Sequence, residues 1–256
     1  MNIVACIKVV PDSQDIQISP DGDILLDKAA PTISEYDLNA IEAGVQAANK
    51  TAGTLRALTV GGKKIDESKL KKNVLSRGPE SLTMVADDTC INMDTHQTAV
   101  SLAATLKTMG AWDLILCGEG SADMYSHQVG IQLGELLGVQ TINSVQSFEL
   151  ADGVVRVVRS LENEEEELEL PLPAVLTVTS DINNPRVPSM KDIMAAGKKP
   201  VSMLGYADLA VAMAEPGVEV LSIKAPQSMD RKRIIIEGDS EDAIADFAKK
   251  IAGELK

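Results

Sequence analysis

The sequence predicts an α/β fold in which a mostly parallel sheet is flanked by helices. Three observations carry this expectation. Strand-length apolar runs recur at residues 3–10, 55–60, 82–86 and 114–117, as strands buried on both faces require. Helix-length segments separate them, and each parallel pair needs such a crossover. The 256 residues are 45% hydrophobic, enough apolar material to cover a sheet on both sides.

In chain order, residues 3–10 read as a strand running into a turn at Pro11-Asp12. Residues 36–48 have helical periodicity, with Leu38, Ile41 and Val45 on one side, Ser34 as N-cap and Asp37 in the first turn. The 55–60 strand closes on Gly61-Gly62 and leads to a polar helix at 68–76, which stops near Gly78-Pro79. A strand at 82–86, a helix at 95–109, a strand at 114–117 and a helix at 127–137 continue the alternation. After Gly138 the texture changes. Residues 154–158 and 167–170 read as paired strands around an acidic connection, and 174–179 as another buried strand. Residues 181–200 are rich in turn signals and 206–227 lack periodicity, whereas 239–255 suit a capped helix with Ile244, Phe247, Ala248 and Ile251 on its apolar side. The expected division is a body at residues 1–195 and a C-terminal arm with its helix at 196–256.

Composition narrows the function classes. With 24 Lys and Arg against 38 Asp and Glu, the net charge of -14 opposes a broad grip on nucleic acid or an anionic membrane. Cys6, Cys90 and Cys117 are too widely spaced for a disulfide framework or a thiolate metal cluster, which fits a reducing compartment. The first residues lack a secretory pattern, and no apolar run approaches the ~20 residues that span a bilayer. A cytoplasmic location is expected.

The chain has no phosphate loop of the form G-x-x-x-x-G-K-S/T, no G-x-G-x-x-G, no H-E-x-x-H and no G-x-S-x-G. Its most informative polar segment is Gly118-Glu-Gly-Ser-Ala-Asp-Met-Tyr-Ser-His-Gln-Val-Gly130. This follows a strand and precedes a helix, where open α/β sheets hold ligands. Gly118 and Gly120 permit close backbone approach, Ser121, Ser126 and Gln128 add hydrogen-bonding capacity, and amides at the helix start can receive phosphate. Gly61-Gly62, Asp12 and Asp37 occupy related positions, and together these residues could surround one adenine nucleotide. Plain structural readings stand beside that one: a tight turn at Gly61-Gly62, a local amide cap at Asp12, and helix stabilisation by Asp37. His96 reads as a surface or capping residue, Cys6 and Cys117 as packing, and Glu162 with residues 164–167 as a solvated charge cluster. No catalytic set and no metal-ligand set stands out.

Several motifs in order carry a resemblance across essentially the whole chain. They are Cys6-Ile-Lys-Val-Val-Pro-Asp12, Ser34-Glu-Tyr-Asp-Leu-Asn-Ala-Ile-Glu42, Val74-Leu-Ser-Arg-Gly-Pro79, the 118–130 loop, Val157-Val-Arg-Ser-Leu-Glu-Asn-Glu164, and Ser180-Asp-Ile-Asn-Asn-Pro-Arg-Val-Pro-Ser-Met-Lys191. In these the chain resembles an electron transfer flavoprotein beta subunit, of the bacterial branch associated with quinone reduction, nitrogen fixation or carnitine metabolism. Asn163 departs from the acidic or glycine residue usual in that signature.

The resemblance implies an adenine-nucleotide-binding α/β domain at 1–195 whose extended C-terminal arm packs on a partner subunit. That partner is an electron transfer flavoprotein alpha subunit, and the heterodimer carries electrons from a dehydrogenase to a quinone oxidoreductase or related acceptor. FAD in the heterodimer is held chiefly by the alpha subunit, and the beta subunit buries AMP or, in electron-bifurcating members, a second FAD. Residues placed near the beta nucleotide are Ala5, Asp37, Gly61, Gly118, Asp123, Ser126, Gln128 and Val129, with His127 added by its place in the loop. Because residues 125–130 differ from those of many relatives, AMP and FAD both stay open. Residues 181–199 resemble a docking segment, with Arg186, Met190 and Ile193 facing redox partners and Met190 as the apolar anchor. The chain is expected to be an electron-transfer component rather than a stand-alone enzyme, with no nucleic-acid partner and no direct membrane span; any membrane association would be peripheral, through the quinone oxidoreductase. Two other classes remain at this point: a nucleotide-binding stress or sensor protein, and, less supported, a ligase-like adenylate enzyme.

Overall fold

The computed structural model describes residues 1–226 and 233–255. Strands β1 (Asn2–Cys6), β2 (Val9–Pro11), β3 (Gln17–Ile18), β4 (Ile24–Leu25) and β5 (Pro31–Ile33) precede helix α1 (Glu35–Thr51). There follow β6 (Thr54–Gly61), α2 (Ser68–Ser76), β7 (Ser81–Ala86), α3 (Thr95–Thr108), β8 (Leu114–Gly118) and α4 (Val129–Leu137). The chain continues through β9 (Gln140–Ala151), β10 (Val154–Ser160), β11 (Glu165–Pro171), β12 (Ala174–Val178), α5 (Met190–Ala196), β13 (Val201–Leu204) and α6 (Glu241–Glu254).

One sheet organises the main body, in the order β11-β10-β9-β12-β8-β1-β6-β7-β13. The pairings from β9 through β13 are parallel, and β10 runs antiparallel to both β9 and β11. Alternate residues of β1 feed opposite faces: Ile3 and Ala5 join α1's Ile41 and Val45 on one side. Val4 and Cys6 join Leu102 and Leu106 of α3 and Leu133 of α4 on the other. The same alternation places Leu114 and Leu116 of β8 on the first face and Ile115 and Cys117 on the second. Uninterrupted apolar runs are therefore needed, because neither face of these strands meets water.

The α/β class, the order of its elements and most of its boundaries agree with the sequence expectation. The short strands β3, β4, β5 and β13 were not expected, and two further segments differ. Residues 3–10 form two strands, with β2 leaving the sheet to pair with β5. Residues 140–151, which carry no strand signal, form the longest strand. The arm also begins later than residue 196, because β13 completes the sheet edge on β7 and Tyr206 and Leu209 are buried beside Val85 and Ala104. The irregular stretch that follows is held by its own body as far as Gly217. Gln97 Nε2 donates to the Ala214 carbonyl at 2.7 Å, and the Gly217 amide donates to Asp94 at 2.6 Å.

Two compact units result: Met1–Gln17 with Leu25–Ser222, and Ile18–Ile24 with the chain from Ile223 onward. In the second unit, Lys224 pairs with Asp23 at 3.2 Å. Its helix α6 leaves Ile244, Phe247 and Ile251 exposed. Gln227, the end of the expected irregular stretch, lies outside the described residues. Among those described, no helix is long and apolar enough to cross a membrane.

Candidate functional site

Beyond β1 the chain builds β6 and β7 on one side of the sheet, then returns to place β8 on the other. The strand order therefore reverses between β1 and β8, and the carboxyl ends of such a pair are where open α/β sheets hold ligands in a crevice. Asp37, at the start of α1, ties these loops together. One carboxylate oxygen accepts the Lys8 amide at 2.7 Å and the other the Gly118 amide at 3.0 Å. Ser34 precedes α1 as expected but caps nothing in its own helix; its hydroxyl accepts the Ala122 amide at 3.2 Å. The crevice wall is thus fixed by two side chains from one helix start, each reaching a different point of the 118–130 loop.

Asp37 is only 5% exposed. Burial pushes its carboxyl up from 3.8 to about 7, against the opposing pull of the two amides and the Lys8 ammonium, and Asp123 adds to the rise. The folded protein keeps a proton that the unfolded chain releases between these values, so the stability from this group falls as pH rises through that window. Urea denaturation from about pH 5 to 7 should show wild type losing ~2 kcal/mol relative to Asp37→Asn. Parallel pH profiles for the two proteins would contradict this.

Lys8, which the sequence reading did not single out, is the cation of the crevice. Its Nζ lies 2.7 Å from both oxygens of Asp123 and 3.4 Å from the Ser121 hydroxyl. For Asp123 burial opposes ionisation, but the hydrogen bonds and charge of Lys8, with Ser121, outweigh it and hold the carboxyl below its usual value. The available signal was a basic residue directly after the first strand.

Farther along the loop, Tyr125 and His127 adopt left-handed backbone conformations, and both are exposed. Helix α4 therefore starts at Val129, two residues after the expected His127. Its N-terminal amides have no side-chain cap from Gln128. That side chain turns instead to α3, its Oε1 accepting the Thr95 hydroxyl at 2.9 Å and Gln132 Nε2 at 3.2 Å. Gln132 Oε1 is buried and has no partner among the described residues. A helix start with no side-chain cap fits an anionic group such as a phosphate.

The remaining expected residues are less directly placed. Ser126 is exposed on the loop. Ala5 is fully buried between Ala57 and Leu116, within the sheet below the crevice. Gly61 ends β6, and its carbonyl receives the Asp87 amide at 3.0 Å. Asp12 takes the local amide at Gln14. Cys6 and Cys117 are register neighbours on β1 and β8. The hydrogen bond that the Cys6 thiol makes to Cys117, together with burial, raises Cys6 well above its ordinary range, which suits packing rather than attack.

The 181–199 segment is anchored from the first turns of the same helix, α1. Asn39, buried on α1, donates to the Ser180 and Asn183 carbonyls at 3.1 and 2.8 Å, and Asn183 returns a bond to the Asn39 carbonyl at 3.0 Å. One turn on, buried Glu42 receives Arg186 Nε at 2.6 Å and Nη2 at 3.0 Å. Arg186 is thus paired within the chain, with its side chain still 41% exposed. Lys199 closes the far end by donating to the Leu75, Gly78 and Pro79 carbonyls. Between these anchors Val187, Met190, Ile193 and Met194 are exposed, Met190 by 74%. Asn39 and Glu42 were missed because a polar residue on a helix gives no sign of which loop will cover it.

A family model described as an electron transfer flavoprotein domain matches residues 24–209, more than half of the chain.

Proposed function

The chain belongs to the electron transfer flavoprotein family, and from that premise we propose that it is the beta subunit of a heterodimer carrying electrons from a dehydrogenase to a quinone oxidoreductase or related acceptor. A flavin supplies the redox chemistry of this family. This chain's residues then bind and orient a nucleotide in the crevice, AMP or the adenine half of a second FAD, and they dock partners through the 181–199 segment. The heterodimer is cytoplasmic in this reading, reaching a membrane only through its acceptor, and the arm from Ile223 onward packs on the alpha subunit.

The observation that supports the nucleotide reading is the start of α4, which has no side-chain cap and follows the loop at the carboxyl end of β8. Calorimetry on folded Gln128→Ala is expected to show AMP or FAD binding weakened by ~1–3 kcal/mol, the range for loss of a polar contact. Unchanged affinity for both ligands would oppose the assignment.

Docking rests on Met190, an exposed thioether at the first position of α5, in a segment whose two ends are pinned by Arg186 and Lys199. A flexible apolar side chain on a fixed base suits an irregular pocket, and a central anchor contributes ~2 kcal/mol or more. Met190→Ala should therefore raise the partner Kd about thirtyfold, with the flavin absorption spectrum of the heterodimer unchanged. Equal partner binding by surface plasmon resonance would remove Met190 from that role.

A further inference from the structure

Aromatic side chains are scarce in this protein, which has three Tyr, two Phe and one Trp, with two His. Two of the tyrosines and one histidine nevertheless converge at the mouth of the crevice. The ring of Tyr125 lies 4.9 Å from that of Tyr36, tilted by 36°, and 4.1 Å from that of His127, which meets it edge-on at 79°. Its hydroxyl donates to Glu119 at 3.1 Å. The ring also lies so close over Gly120 that a Cβ there would sit 2.5 Å from it. Despite these neighbours Tyr125 remains 45% exposed.

The backbone adds an independent observation. Tyr125 has φ 45° and His127 φ 55°, a region that side chains with a Cβ rarely occupy and that costs of order 1–3 kcal/mol when they do. Such strain persists where the surroundings over-determine it, and it clusters at ligand clamps. Here it displays a ring that ordinary packing would have buried. The polar groups of the loop are meanwhile engaged, Lys8 with Asp123 and Gln128 with Thr95. Tyr125 and His127 are the exposed rings of the loop.

We propose that Tyr125 is the ring-recognising residue of the crevice: its exposed face stacks on the heteroaromatic ring of the bound nucleotide, with Tyr36, His127 and Glu119 fixing its plane. The proposal rests on the nucleotide reading above and adds that ring and phosphate are recognised by separable parts, Tyr125 and the start of α4. It follows that the loop selects for a planar base joined to a sugar phosphate and tolerates different bases, because stacking is insensitive to the pattern of hydrogen-bond donors.

The test compares AMP with ribose 5-phosphate by calorimetry on the full chain freed of nucleotide. Tyr125→Leu is expected to weaken AMP binding roughly tenfold or more while leaving ribose 5-phosphate unaffected, and Tyr125→Phe to retain AMP affinity within about threefold. On wild type, stacking should also lower the ultraviolet absorbance of adenine on binding, a readout that needs no variant. Unchanged AMP affinity in Tyr125→Leu, equal weakening of both ligands, or no absorbance change on binding would each overturn the stacking role while leaving the nucleotide site in place. Failure of wild type to bind either ligand would overturn the nucleotide reading itself, and the stacking role with it.

Discussion

Gly118→Val is expected to cost at least ~3 kcal/mol of stability and to abolish nucleotide binding. A Cβ at this position would lie 2.7 Å from an Asp37 carboxylate oxygen and 2.8 Å from the backbone carbon of Tyr36. Backbone cannot rotate out of the way, and displacing Asp37 breaks the bond that joins α1 to the end of β8. The cost therefore combines overpacking with a buried carboxylate deprived of a donor. The collision is with the crevice wall rather than with a ligand, so loss of binding should accompany loss of stability. Urea denaturation beside Gly253→Ala, whose Cβ would meet open space, separates the effect from a general response to glycine replacement. A folded Gly118→Val protein of near wild-type stability would contradict the Asp37 tie.

Arg186→Ala is expected to destabilise by ~1–2 kcal/mol, because buried Glu42 loses its guanidinium while water already screens part of a pair whose Arg186 side chain is 41% exposed. The loss should be local as well as global. Amide exchange across residues 184–196 should quicken, since the ion pair and the Asn39 bonds are what hold this segment to α1. Replacing both partners, Glu42→Leu with Arg186→Met, should recover part of the loss, as removing both charges costs less than stranding the buried Glu42 alone. A double variant less stable than Arg186→Ala would argue that the pair acts through something other than charge burial.

The parallel part of the fold was legible because strands covered on both faces must be apolar throughout, as in β1 and β8. Strand β9 was not, since Gln140-Thr-Ile-Asn-Ser-Val-Gln-Ser-Phe-Glu-Leu-Ala151 is mostly half-exposed and has only Val145 fully buried. Its register also shifts near Ser144, which has φ 57° and interrupts the alternation that marks a strand. Strand β13, four residues long, lies between the turn-rich stretch and the aperiodic one and is too short to show alternation. At the site, the loop between β8 and α4 could be found from its glycines and its place after a strand. The tie through Asp37 and the ion pair between Lys8 and Asp123 could not, because they join residues 81 and 115 positions apart. The docking segment shows the same division. The exposed run around Met190 is written in the sequence, whereas the commitment of Arg186 to Glu42 spans 144 positions and appears only once the helix is folded.

Purifying the full chain together with its co-expressed alpha subunit under native conditions, then measuring mass and released cofactors, tests the central claim most directly. The proposed role predicts one copy of each subunit, with one FAD accompanied by AMP or a second FAD. A stable homodimer of this chain that binds ATP and carries no flavin would contradict it.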